Sequence, residues 1–140
     1  MYKSLPPEFP MALDLVSRCN VNLDMATLRA IQAAAIANTL TILWGVYDDP
    51  IGFVVWAGVN QDSVQMINKF KLLPARVWEF KEGHITQILH VVFVPPFNFE
   101  AKAQLRKFLR GRRVISYTRK EKNKLFVRTS SGFRRSERLC

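Results

Sequence analysis

Cysteine is nearly absent from these 140 residues, which hold only Cys19 and Cys140. Two thiols are too few for a disulfide framework or a thiolate zinc cage, and they fit a reducing, cytoplasmic setting. Histidine is as scarce. His84 and His90 stand without an acidic residue close to His90 in the sequence, so no ligand set with zinc-like spacing exists and no metal is expected. Long apolar runs are missing as well: the longest, from Ile85 to Phe93, is interrupted by Thr86, Gln87 and His90 and falls short of the roughly 18 to 20 residues that span a bilayer. The first residues contain Lys3 and Leu-Pro-Pro rather than an apolar stretch with a small-residue cleavage site, so no export signal is expected. Neither a phosphate-binding loop nor a nucleophile elbow occurs.

Acidic residues are rare in the last forty positions. Residues 101–140 carry fourteen Lys or Arg against Glu121 and Glu137, a local charge of +12, whereas residues 1–100 carry −2, giving the chain its +10. A surplus this local suits a face for phosphates or carboxylates; the plainer alternative is a solvated helix and tail.

Hydrophobic residues make up 49% of the chain and aromatics 11%, enough for one packed core and too few residues for two. The expected architecture is a single α/β (α+β) domain over residues 11–129, with a mixed, mostly antiparallel central sheet flanked by helices. Pro6, Pro7 and Pro10 are expected to keep residues 1–10 extended, and residues 130–140 read as a loose basic tail. Helices are expected from Met11 to about Cys19 and from Leu23 to Ala37, the second capped by Asn22 or Asp24 and ended by Asn38. Thr39 to Tyr47 and Ile51 to Val59 read as a hairpin turning at Asp48-Asp49-Pro50. A helix capped by Asn60 or Asp62, with Val64, Ile67 and Phe70 inward, precedes Pro74, and Ala75 to Phe80 is ambiguous. Ile85 to Val94 is the strongest strand, closed by Pro95-Pro96. Asn98 then caps a helix from Phe99 to about Arg110 with Ala101, Leu105, Phe108 and Leu109 inward. Val114 to Arg119 and Leu125 to Thr129 are two further strands.

Candidate chemistry is sparse. His90 and Val92 share one face of a pleated strand, which places the imidazole where it could serve as a general base; a histidine satisfied within the core is the alternative. Cys19 could accept an acyl group if Arg18 lowered its pKa, and otherwise reads as a buried inert thiol. His84 sits in a turn and reads as exposed. Trp44, Trp56 and Trp78 suit an acyl pocket or ordinary core packing. On the basic side, Lys102, Arg106 and Arg110 recur every four residues on one helix face, followed by Arg112, Arg113 and Arg119. This set fits an acidic protein. It also fits a phosphate backbone, since Tyr117, Phe126 and Phe133 alternate with Arg119, Lys124, Arg128, Arg134 and Arg135 in a pattern that suits stacking on bases.

Three segments carry a family resemblance: PIGFVVWAGV from Pro50 to Val59, ILHVVFVPPF from Ile88 to Phe97, and LRKFLRGRRVISYTR from Leu105 to Arg119. Together with the order of elements they resemble the Gcn5-related N-acetyltransferase superfamily, and within it the bacterial RTX toxin-activating lysine-acyltransferases. The resemblance implies transfer of an acyl group from acyl carrier protein, or another acyl thioester, to a protein lysine, with no other cofactor; the acidic carrier would meet the basic face. It also implies a histidine near the N-terminus and an aspartate on the long strand. Cys19 and Val92 stand at roughly those places. The turn Pro95-Pro96-Phe97-Asn98-Phe99 contains no glycine and lacks two backbone donors, unlike the pyrophosphate-binding turn of enzymes that use coenzyme A. The rival reading is a non-catalytic module on the same fold, gripping nucleic acid or an acidic protein with its basic third.

Overall fold

The structure, a computed structural model, describes residues 6–19, 23–70, 77–95, 98–119, 122–129 and 132–136. Four helices, α1 (Glu8–Arg18), α2 (Met25–Ala37), α3 (Gln61–Phe70) and α4 (Phe99–Arg110), accompany six strands, β1 (Leu40–Trp44), β2 (Pro50–Val59), β3 (Ile85–Phe93), β4 (Val114–Arg119), β5 (Lys122–Thr129) and β6 (Gly132–Ser136). The strands form one sheet in chain order. Only β3 and β4 run parallel, and α4 makes the crossover between them; the other four pairs are antiparallel. The expected mixed, mostly antiparallel sheet with flanking helices is therefore present.

β2 explains the layering. Its alternate residues Phe53, Val55, Ala57 and Val59 enter the larger core with α1 and α2, while Val54 and Trp56 pack with Leu43 and Phe108 on the α4 side. A strand covered on both faces needs apolar residues at every position, which is why this segment reads as a continuous hydrophobic run. Local chemistry then sets the ends of the helices. Asp24 accepts a bond from the Thr27 N–H at the start of α2, and Asn38 closes that helix in the left-handed conformation, φ 64° and ψ 35°. Asn60 and Asn98 cap α3 and α4 in the same way, accepting from Ser63 and Ala101.

Two expectations at the chain ends are corrected. Residues 8–10 are helical rather than extended, with Pro10 in the first turn of α1, where a missing N–H breaks no intrahelical bond. Residues 132–136 form β6 instead of a loose tail, with Phe126 opposite Arg135 and Thr129 opposite Gly132. Arginines argue against a buried strand but suit an edge, where charge discourages further pairing. Smaller differences are that β5 begins at Lys122, inside the expected turn, and that Val77–Phe80 forms a 3-10 turn. The inward positions of Ile67 and Phe70 lie outside what is described.

The register of the sheet shifts at two places, at Leu43/Trp44 between β1 and β2 and at Val55/Trp56 between β2 and β3. Between β2 and β3, Val55 faces His90 and Trp56 faces Ile88, so Leu89 is an extra residue and the strand bulges there. Between β3 and β4, pairing covers only Thr86, Gln87 and Ile88. Beyond Ile88 the two strands are not paired.

A close backbone approach holds the start of β3. The N–H groups of Glu82 and Gly83 both donate to the Gly58 carbonyl, at 2.7 and 3.1 Å. A Cβ at Gly58 would lie 2.7 Å from the Gly83 carbonyl oxygen, an approach only glycine allows without moving backbone. Gly58→Ala is expected to lower stability by about 1 to 3 kcal/mol, measured by urea unfolding with the slope m unchanged.

Candidate functional site

The bulge at Leu89 decides where the imidazole goes. Directly opposed residues in an antiparallel pair project to one face, so His90 shares the face of Val55, and Val92 that of Phe53. Both residues thus project toward α1 and α2, as the strand alternation predicts, and Val92 packs against that core. His90 is half-buried on the half of β3 that β4 leaves unpaired.

Two things act on this imidazole. Burial pushes its pKa down from the ordinary value, and the nearby Asp24 carboxylate opposes that shift in part. The desolvation effect is the larger, so His90 is neutral near pH 7 and able to accept a proton. Asp24 is held below the usual carboxylate range chiefly by its hydrogen bond with Thr27, with a smaller contribution from His90. Electrostatics couple the two groups; no hydrogen bond joins them. Asp24 is the member of this corner that sequence reasoning assigned to capping alone. It does cap α2, and the same carboxylate also acts electrostatically on His90, which only the pairing of distant segments reveals.

Cys19 follows the last turn of α1, and its thiol donates to the Phe93 carbonyl at 3.3 Å. The expected cationic activation is not built. Arg18 pairs with Asp14 at 2.9 Å, and burial pushes the Cys19 thiol up. A thiol donating to a carbonyl with a raised pKa is a poor nucleophile. Cys19 and His90 therefore border the same end of β3 without forming a thiolate–imidazolium pair. His84 is exposed, as expected of its turn.

The basic residues divide into two kinds. Lys102, Arg106, Arg110 and Arg113 are exposed, and the first three follow one face of α4. Arg112 instead folds inward. Its guanidinium lies 4.1 Å from the Trp56 ring centre and 4.7 Å from that of Phe108, and its buried Nε has no hydrogen-bond partner. Trp56 is fixed in turn by its indole N–H, which donates to the Thr41 hydroxyl at 3.0 Å. The Arg112 environment was hidden in the sequence because Trp56, Phe108 and Arg112 come from two elements and a turn. The side chains of Arg119 and Trp78 lie outside what is described. Among the described residues, no group of three His, Cys, Asp or Glu is placed to hold a metal, and no helix is long and apolar enough to cross a membrane.

The pKa shifts give a pH prediction with a definite sign. The unfolded chain protonates His90 near pH 6.5 and the folded chain only at lower pH, so the unfolded state binds more protons between those values. Stability is fully present above about pH 6.5 and falls as the pH drops toward the folded midpoint. NMR titration of the imidazole should give a midpoint below that of a free histidine. Asp24→Asn, which retains a capping side chain and removes the charge, should move the midpoint lower still; an upward movement would contradict the assigned role of Asp24.

No family model matches this sequence, and no curated protein is significantly similar to it.

Proposed function

We propose that the protein is an amine acyltransferase of the N-acetyltransferase type, with His90 as general base. The observation that carries this reading is a half-buried, neutral imidazole on the unpaired half of β3, with a carboxylate in electrostatic reach. A parallel pair of strands joined by a helix, with pairing that ends after three residues, supports the same reading. The order of elements supports the same assignment.

In the proposed reaction the nitrogen of a neutral lysine amine attacks the carbonyl carbon of an acyl thioester. The C–N bond forms, the C–S bond breaks, and His90 takes the proton from nitrogen and returns it to the departing sulfur. Products are an amide and a free thiol. Asp24 stabilises the transient imidazolium. Toxin-activating lysine-acyltransferases, which this sequence resembles, pair a histidine near the N-terminus with an aspartate on the long strand. Here the same two residue types influence each other electrostatically with their places exchanged, Asp24 ahead of α2 and His90 on β3. Protonation chemistry depends on the pair and not on which segment supplies each member.

The donor is proposed to be an acyl group on a carrier protein. At the N-terminus of α4 the Asn98 side chain occupies one backbone donor, and Glu100 accepts from the Val46 N–H of the β1–β2 turn. A carboxylate at that position opposes the pyrophosphate of coenzyme A. The exposed cations of α4 suit an acidic carrier.

The test supplies acylated carrier protein and a lysine peptide and follows thiol release. His90→Ala should lower the rate at least about tenfold while circular dichroism shows the fold retained, and Cys19→Ser should leave the rate near that of the unaltered chain. The rate should rise with pH as His90 deprotonates, and Asp24→Asn should shift that rise to lower pH. Full activity in His90→Ala would end the assignment.

A second reading, a binding module, is favoured by the exposed set on and after α4. It expects a complex with an acidic protein or nucleic acid that weakens steeply with salt. Arg106→Glu combined with Arg113→Glu should abolish it, and an unchanged affinity would remove this face as the contact.

A further inference from the structure

The two edges of the sheet differ in kind. β6, at one end, has the sequence GFRRS, while β1, at the other, has LTILW, without charge or proline. Uncharged edge strands are usually protected, because their unpaired N–H and C=O groups accept any extended chain. Among the described residues β1 pairs only with β2.

Its outward groups can be assigned. The Thr39 carbonyl accepts from the Trp56 N–H, and the Gly45 N–H donates to Asp49, so the odd-numbered residues bond inward to β2. By antiparallel alternation, Leu40, Ile42 and Trp44 turn their backbone groups to the free edge. A groove of about 530 Å³ lies on the α4 side of this edge, lined by Thr41 to Trp44 together with Gln104, Lys107, Phe108, Gly111 and Arg112. A second, of about 290 Å³, lies on the α1 side beside Met11 and Asn38.

We propose that the free edge of β1 docks an extended peptide carrying acidic residues at alternate positions, which joins the sheet as an added strand. Side chains two residues apart on such a strand project to one face. One set then enters the larger groove, where carboxylates meet Lys107 and Arg112, and the uncharged set enters the smaller groove, whose lining includes Glu8 and would repel a carboxylate. Charge selects the occupant. Arg112 already lies over two rings, those of Trp56 and Phe108, with its buried Nε unpaired, so its guanidinium is oriented before a carboxylate arrives. A second copy of the chain would bring the same two cations to the contact and set like charges together. The mode is strand addition, with main-chain bonds supplying affinity and the grooves supplying selectivity.

The probe is an acetylated, amidated eight-residue peptide alternating Glu and Val, measured by calorimetry and by amide hydrogen exchange. Saturable binding that weakens with salt, with slowed exchange at the Leu40 and Ile42 N–H groups, is expected. Lys107→Glu, a change at an exposed position that leaves folding intact, should weaken binding at least about fivefold, and replacing Glu by Lys in the peptide should abolish it. Absence of binding, equal binding by a peptide N-methylated on its sheet-facing amides, or indifference to both Lys107→Glu and Arg112→Gln would overturn the proposal. Self-association of the chain that protects the same two amides would overturn it as well.

Discussion

Hydrogen bonding between β3 and β4 stops after three residue pairs, and the character of the proposed reaction site follows from that limit. A fully paired parallel ladder would commit the backbone of Leu89 to Phe93 on both sides. Pairing with β4 ends at Ile88, while β2 holds the strand through Phe93, whose carbonyl accepts from the Cys19 thiol. The bulge at Leu89 then corrects the phase of the strand. Without the extra residue, Ile88 and His90 would share a face; with it, Ile88 packs by Trp56 on the α4 side and His90 turns to the opposite layer. The end of the parallel ladder and the bulge fall within three residues of each other.

Burial treats the two candidate groups near this corner in opposite chemical senses. Desolvation favours neutral forms, so it makes His90 a competent proton acceptor and makes Cys19 a reluctant nucleophile. That difference favours the acid–base role proposed for His90 over a covalent role for Cys19. The same physics acts on Arg112, whose guanidinium stays charged but loses water, and which is compensated by the faces of Trp56 and Phe108.

Much of the framework was legible in local patterns. Asp24, Asn38 and Asn98 marked helix ends because their side chains or backbone conformations satisfy groups that the helix leaves free, and the apolar run of β2 announced a strand covered on both faces. His90 and Val92 were assigned to one face by pleat alone. What escaped prediction depends on distant segments. A charge-rich segment such as β6 reads as a tail until a partner strand supplies its hydrogen bonds. Asp24 reads only as a cap until β3 is placed beside it, and Arg112 resembles its exposed neighbours until two rings from other elements enclose it. The bulge at Leu89 leaves no composition signal at all.

Asp24 carries two unrelated duties on one carboxylate. Serine or asparagine would preserve the start of α2 and forfeit the field at His90; glutamate would preserve the charge but fits the cap poorly. One side chain thus ties helix initiation to the proton affinity of a residue on a distant strand, so that a change of charge at Asp24 reaches His90 even where the cap is kept.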